Sequence, residues 1–375
     1  MSKNYYSLGL MSGTSMDGVD VSIIKSDGDI EFKGIFNKYF EYSDDFSKKI
    51  LKIRDKINNT KDLNLYSKEL NNIEKEITLF HAKVTNEAIK EVNSNIDIIG
   101  FHGQTIFHSA KEMVSKQLGD GKLLSQETKK KVVYDFRQND LKNGGEGAPL
   151  APIFHKLISE KIKVEPPLCV INLGGIANIT SIESGEISDL GSQDIGPGNC
   201  LIDEWIKKNT NKKYDKGGLI AKSGKKDILI LNQALDNHDN LKKKNILSYD
   251  TKDFDLSFVR GLSLEDGAAT LTEFTGKLLA EATLNYISKL KTKPKKILVC
   301  GGGRKNSTLI NCLKDNMNIG NLVENIDNFG VDGDFIESQA FAYLAIRSFL
   351  NLPISFPKTT GCKHPSTGGK LVNNF

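Results

Sequence analysis

Cysteine is scarce in this chain and poorly placed for pairing. Cys169, Cys200, Cys300, Cys312 and Cys362 contain no CxxC pair and are odd in number, which argues against a zinc site and against a secreted disulfide framework. Cys169 and Cys300 lie inside apolar runs and read as buried thiols. No stretch stays apolar over the roughly eighteen residues that a membrane-crossing helix takes. The opening Met1-Ser2-Lys3-Asn4-Tyr5-Tyr6 lacks the apolar core of a signal peptide. A cytoplasmic location is therefore expected. Charge of one sign is not in excess either, since 51 basic residues face 47 acidic ones. The lysine runs Lys129-Lys130-Lys131 and Lys242-Lys243-Lys244 are not interleaved with aromatics, so they read as solvated surface and not as a nucleic-acid patch. Standard nucleotide signatures are missing too. In Gly217-Gly218-Leu219-Ile220-Ala221-Lys222-Ser223 an alanine stands where a P-loop has glycine, and Asn306 breaks a GxGxxG pattern after Gly301. His108, His155 and His364 show no metal-ligand spacing.

What the chain does contain is strand after strand running into glycine. At 375 residues, 38% of them hydrophobic, it exceeds one ordinary core and should form two domains. Tyr6 to Met11 leads through a glycine turn to Val19–Ile24; Leu168 to Leu173 leads through Gly174-Gly175 to Ile176–Thr180; Lys296 to Cys300 leads through Gly301-Gly302-Gly303 toward a helix over Leu309 and Leu313. The first two segments share one grammar, apolar strand, glycine turn and β-rich return strand. This suggests a duplicated domain with one glycine hairpin in each half. Helices are expected at Asp45–Asn58, Leu63–Val92, Gly261–Leu290 and Phe335–Leu350, the second from Leu70, Ile73, Ile77 and Phe80 at helical spacing. Strands alternating with helices indicate an α/β protein with mixed sheets. Pro166-Pro167 interrupts both helix and strand and sets the boundary. The expected domains are 1–165 and 166–350, with 351–375 packing back on the first and a central cleft between the two.

Between the paired strands of the first segment lie Ser12, Gly13, Thr14, Ser15, Met16, Asp17 and Gly18. Glycines allow positive φ and close approach of backbone to ligand. Successive amides can then point at one anion, with the hydroxyls as further donors. A carboxylate beside phosphates is repulsive unless a cation lies between them, so Asp17 points to a water-mediated Mg²⁺ contact. The alternative, a plain hairpin turn, needs one glycine and an Asn or Asp.

Phosphate turns of this kind without a P-loop resemble the superfamily of sugar kinases, actin and heat-shock ATPases. A closer resemblance covers nearly the whole chain. Gly9-Leu10-Met11-Ser12-Gly13-Thr14-Ser15-Met16-Asp17-Gly18-Val19-Asp20 is similar to the opening signature of the anhydro-N-acetylmuramic acid kinase family. The series Gly100-Phe101-His102-Gly103-Gln104-Thr105, Asp135 to Asp140 with Gly144 to Leu150, Asn172 to Asn178, Asp194 to Asn199, Glu265 to Leu271 and the Gly301 turn completes it in order. One departure is the family's proline-lysine-serine-threonine-glycine stretch, replaced here by Ser248-Tyr249-Asp250-Thr251-Lys252-Asp253-Phe254. Contacts of that loop are not carried over. Cys362-Lys363-His364 is a second unusual filling.

The resemblance implies an actin-like (ribonuclease H-like) fold and a coupled reaction. Water opens the 1,6-anhydro bond at C1, and the freed O6 takes the γ-phosphate of ATP, giving N-acetylmuramic acid 6-phosphate. It implies ATP contacts at Gly13, Thr14, Ser15, Met16, Asp17, Gly18, Val19, Asp20, Gly174, Gly175, Gly301, Gly302, Gly303 and Asn306. It makes Asp194 the base, and a free Asp, with a pKa of about 3.9, is ionised at neutral pH. Asn199 is the better N-cap of the helix that follows. Arg137 could fork onto a carboxylate or phosphate, or pair on the surface with Asp135 or Asp140. His102 and Gln104 at a strand end, Asn178, and Glu337 opening the last helix complete the expected sugar contacts. His102 as a structural histidine and Glu337 as a carboxylate suited to a helix N-terminus stay open as alternatives. Expected partners are ATP, Mg²⁺, an anhydro-amino-sugar and water, with no nucleic acid and no membrane; a homodimer is compatible with the sequence. An ordinary sugar kinase, with Asp194 deprotonating a sugar hydroxyl, and a non-catalytic ATP-driven module are the rival functions.

Overall fold

The computed structural model describes residues 3–241, 249 and 251–375. The run Lys242-Lys243-Lys244 and residues Ser248 and Asp250 of the variant loop lie outside them. In chain order the strands are β1 (Tyr5–Ser12), β2 (Gly18–Ser26), β3 (Phe32–Glu41), β4 (Ile98–Ser109), β5 (Val114–Leu118), β6 (Lys131–Tyr134), β7 (Leu168–Leu173), β8 (Ile176–Ile182), β9 (Leu190–Pro197), β10 (Lys296–Cys300), β11 (Val323–Asn325) and β12 (Lys370–Val372). The chain divides into two compact units. One comprises the residues up to Lys163 together with Phe335–Phe375, and the other is Val164–Asp334.

Both units use one strand plan. In the first, the order is β12-β6-β4-β1-β2-β3, with β5 on β4. There β1, β2 and β3 form an antiparallel meander, and β1 also pairs in parallel with β4, which pairs in parallel with β6. In the second, the order is β11-β10-β7-β8-β9. Here β7, β8 and β9 form the meander, and β7 heads the parallel series through β10 to β11. Every residue of β7 is buried, as expected of a central strand covered on both faces, which needs an unbroken apolar run. The duplicated α/β plan read from the two glycine hairpins is thus present in five strands of each unit, with β5 and β12 added in the first.

The helix Ser67–Val92 buries Leu70, Ile73, Ile77, His81, Val84 and Ala88, a single stripe at spacings of three and four, in the core of the first unit. The sequence pattern predicts one helix over Leu63–Val92, whereas two are present. Asn59 starts a separate turn, Thr60–Leu65, with a capping box to Asp62, and Tyr66 leaves helical geometry at φ −99° and ψ 18°. In the second unit the core gathers Trp205, Leu271, Phe274, Leu278 and the apolar face of β7. Its long helix runs Leu264–Ser288 and starts on Ser263, whose side chain accepts from the Asp266 N–H.

The second domain boundary differs from the sequence expectation. Helix Ile336–Phe349 is part of the first unit, not the end of the second. Its backbone rests directly on glycines. A Cβ on Gly9 would come 1.9 Å from the Ser338 carbonyl oxygen, and one on Gly100 would come 2.1 Å from that of Phe341. Ser7 Oγ donates to the Ala342 carbonyl at 2.7 Å, and the Ser22 and Ser338 hydroxyls bond at 2.7 Å. Such close approach is possible only where side chains are absent.

Candidate active site

The turn after β1 is fixed from below. Gln104 Nε2 donates to the Gly13 carbonyl at 2.9 Å, Met16 N–H to the same oxygen at 3.3 Å, and Tyr42 N–H to the Asp17 carbonyl at 2.8 Å. Ser15 Oγ donates to Asp17 Oδ1 at 2.6 Å. The expectation that glycine supplies the positive φ is corrected, because Met16 does so at 55°. Its side chain is buried at 1% exposure and packs in the core, so burial holds a conformation that a non-glycine residue otherwise avoids. Gly18 answers a different need: a Cβ there would lie 2.5 Å from the Phe40 carbonyl oxygen. Val19 is fully buried, so it and Met16 can offer a ligand only backbone. Thr14 is exposed, whereas Gly13, Ser15, Asp17 and Asp20 are half-buried.

Beneath this turn runs a buried chain that sequence reasoning missed. His81 Nδ1 lies 2.8 Å from the Ile77 carbonyl, and its Nε2 lies 3.1 Å from Ser12 Oγ, itself 3.3 Å from the Tyr42 hydroxyl. A carbonyl only accepts, so Nδ1 carries the proton and Nε2 accepts from Ser12, leaving Tyr42 to donate to Ser12. Burial lowers the His81 pKa to about 4, and burial raises that of Tyr42. Ser12 therefore faces the interior. Tyr39 is a further neighbour: burial first, then the charges of Asp17, Glu41 and Asp20, push its phenol up.

His102 and Arg137 are brought together at an irregularity in β4. The β1–β4 register shifts between Leu10↔Phe101 and Ser12↔Gln104, with Gly103 at φ 75°. Bulges of this kind re-aim side chains near functional sites. His102 Nδ1 donates to the Gly103 carbonyl at 2.7 Å, and its Nε2 accepts from Arg137 NH2 at 3.0 Å, while Arg137 NH1 donates to the Gly147 carbonyl at 2.9 Å. Burial and the guanidinium hold the His102 pKa well down, in keeping with a neutral acceptor. Asp135 pairs with Lys370 at 2.6 Å, and Asp140 accepts from Thr360 and Gly147. Gln104 is fully buried, and its Oε1 has no partner among the described residues. Glu337 is half-buried in the first turn of Ile336–Phe349.

In the second unit the glycine turns converge on one end of the sheet. Gly198 N–H donates to the Gly175 carbonyl at 2.9 Å and Asn199 N–H to that of Gly174 at 2.8 Å. A Cβ on Gly198 would lie 2.1 Å from the Gly174 oxygen, and one on Gly301 would lie 2.4 Å from Asn172 Oδ1. Gly303 packs on Leu173 and Asn199, and Gly302 is exposed. Asp194 stands opposite Asn178 across β8 and β9, and the register then jumps so that Gly196 opposes Ala177. Ile195 is therefore the extra residue of a bulge, with Gly196 at φ 133°. Asp194 is half-buried, its Oδ2 accepts from the Tyr249 N–H at 3.1 Å, and Asn178 Oδ1 is buried with no partner among the described residues.

The side-chain cap expected of Asn199 is absent. Asn199 precedes the helix Cys200–Asn209, but its side chain donates at 3.4 Å to the Leu173 carbonyl. Asn306 does cap a helix, accepting from the Leu309 N–H at 3.0 Å. Arg304, unsuspected from sequence, buries its guanidinium under the Gly301 turn, donating to the Gly301 carbonyl at 3.1 Å and pairing with Asp327 at 2.9 Å. A charged residue set straight after three glycines was the available signal. Among the described residues no helix is long and apolar enough to cross a membrane, and no group of three or more His, Cys, Asp or Glu could hold a metal ion.

Residues 5–374 match the family model described as anhydro-N-acetylmuramic acid kinase. The chain is 55% identical over 375 residues to the anhydro-N-acetylmuramic acid kinase of Pelagibacter ubique (strain HTCC1062), covering 100% of both. To that of Zymomonas mobilis subsp. mobilis it is 42% identical over 377 residues, covering 97% of this chain and 98% of the relative. Among solved structures, component A of Acidaminococcus fermentans (R)-2-hydroxyglutaryl-CoA dehydratase is similar at 12% identity and a TM-score of 0.45, covering 92% of this chain and 98% of that one. The chain belongs to the anhydro-N-acetylmuramic acid kinase family.

Proposed function

We propose that this chain is an ATP-dependent kinase that opens the 1,6-anhydro ring of anhydro-N-acetylmuramic acid with water and phosphorylates O6, giving N-acetylmuramic acid 6-phosphate and ADP in peptidoglycan recycling. The observation that carries the reading is the match over the full length to relatives named for this activity, 55% identical in the first case. In the proposed sequence Asp194 takes a proton from water, whose oxygen bonds to C1 as the C1–O6 bond breaks. O6 then takes the γ-phosphoryl group and ADP leaves. The bulge that turns the strand at Asp194, followed by Gly196 and Gly198, supports its role as the base.

The phosphates are assigned to the backbone amides of Gly13 to Gly18 and of Gly174-Gly175, with Gly301 to Gly303 and Asn306 on the adenosine side. Mg²⁺ favours a few carboxylates with phosphate and water as its other ligands. Asp17, half-buried and with one oxygen already bonded to Ser15, fits an outer contact of that kind. Bound there, the ion would neutralise charge developing on the phosphates. His102, Gln104, Arg137, Asn178 and Glu337 are assigned to the sugar. The test is mass analysis of products from ATP, anhydro-N-acetylmuramic acid and heavy-oxygen water. Label at C1 and a phosphate on O6 are expected, with no product from Asp194→Asn protein that still binds ATP. Phosphorylation without label would leave an ordinary sugar kinase, and full activity of Asp194→Asn would remove Asp194 as the base.

A further inference from the structure

We propose that Asp140 and Thr360 are positioning residues that fix the orientation of the Arg137 guanidinium, so that the C-terminal segment helps to set sugar affinity. The proposal rests on the reading of Arg137 as a sugar contact. Its basis is a continuous line of hydrogen bonds within the first unit. Thr360 Oγ1 donates to Asp140 Oδ1 at 2.7 Å, and the Gly147 N–H donates to Asp140 Oδ2 at 2.7 Å. The carbonyl of the same Gly147 accepts from Arg137 NH1, and Arg137 NH2 donates to His102 Nε2. Asp140 and Thr360 are 1% and 2% exposed, so these bonds are shielded from competing water.

A carboxylate is costly to bury, and it persists only where its oxygens find donors. Here one oxygen anchors the glycine that holds Arg137, and the other is tied to a residue more than two hundred positions later in the chain. Gly145 makes room for this, since a Cβ there would lie 2.3 Å from Asp140 Oδ2. Further bonds run between the same two stretches: Glu146 N–H to the Thr360 carbonyl at 2.7 Å, Lys363 N–H to that of Asn143 at 3.1 Å, and Asn139 Nδ2 to that of Thr367 at 2.6 Å. With two of its nitrogens held, the planar guanidinium has one orientation, which is what recognition of a planar anion such as a carboxylate requires.

The test compares Thr360→Val, Thr360→Ser and Asp140→Asn, each alone and with Arg137→Ala, by steady-state kinetics with anhydro-N-acetylmuramic acid and ATP. Thr360→Val should raise the KM for the sugar about tenfold and leave that for ATP unchanged, with Thr360→Ser restoring it. In the Arg137→Ala background neither Thr360→Val nor Asp140→Asn should have a further effect, because the group they orient is gone. A Thr360→Val enzyme with an unchanged sugar KM, or equal rises in both KM values, would overturn the proposal, as would an effect that persists without Arg137. Should Asp140→Asn fail to fold, the Thr360 pair still decides. An Arg137→Ala enzyme with normal sugar KM would instead refute the reading of Arg137 and take the proposal with it.

Discussion

At the scale of single residues, the turn after β1 depends on buried groups beneath it. His81 holds Ser12 from below through a neutral imidazole, and His155 is buried in the same unit. Burial lowers the pKa of each to about 4 from the ordinary 6.5. Between those values the unfolded chain binds protons that the folded chain refuses, so stability rises with pH across that window. It is complete above about 6.5 and lost as pH falls toward 4, by roughly 3 kcal/mol per imidazole. Urea unfolding followed from pH 7 to pH 4 should show this loss, and His81→Gln should remove about a third of the histidine-linked slope, since His102 is held down as well. A slope identical in the variant would mean that His81 titrates normally. None of this was legible in the sequence, where His81 is one polar residue in an apolar helical stripe; only packing reveals which groups surround it.

At the scale of elements, strands and their glycine turns could be read almost to the residue, because a doubly covered strand must be an apolar run and its turn must be glycine-rich. β7 and β10 fall on the expected residues. The bulges beside His102 and Asp194 could not be read, since a one-residue register shift depends on the partner strand and leaves no local pattern beyond a nearby glycine. Gly9 and Gly100 are similar: in sequence they look like weak points of strands, and in the fold they are seats for a helix. Gly100→Ala would drive a methyl group into the Phe341 carbonyl at 2.1 Å. The cost should be about 3 kcal/mol or more, since backbone cannot yield as a side-chain tip can. Gly185 meets nothing within 4 Å, so Gly185→Ala should stay within about 0.5 kcal/mol of the parent. Chemical denaturation of the two variants checks the contrast, and equal stabilities would contradict the seating of the helix.

At the scale of the whole molecule, the duplication was legible and the path of the chain was not. Two glycine hairpins announced two related sheets, but nothing in residues 335–350 says which core their helix covers; eleven of its fourteen residues are buried, polar Ser338, Gln339 and Arg347 among them, so no single apolar stripe marks a face. The C-terminus closes the first unit further. β12 pairs with β6, Lys370 bonds to Asp135, and the Asn374 N–H donates to Ser125 Oγ at 2.9 Å. Ending the chain after Thr367 should therefore speed hydrogen exchange about tenfold in β6 and in the helix Gly121–Thr128, with β7 to β9 unaffected. Uniform protection in both proteins would show that this edge contributes little.

The glycine seats on β1 and β4 also have a consequence for how the protein is made. The surface they form is synthesised early, but the helix that covers it follows only after the whole second unit, Val164–Asp334. At roughly 5–20 residues per second, a ribosome leaves that apolar face waiting on the order of ten seconds or more. During biosynthesis the second unit can complete its core first, although it comes later in the chain.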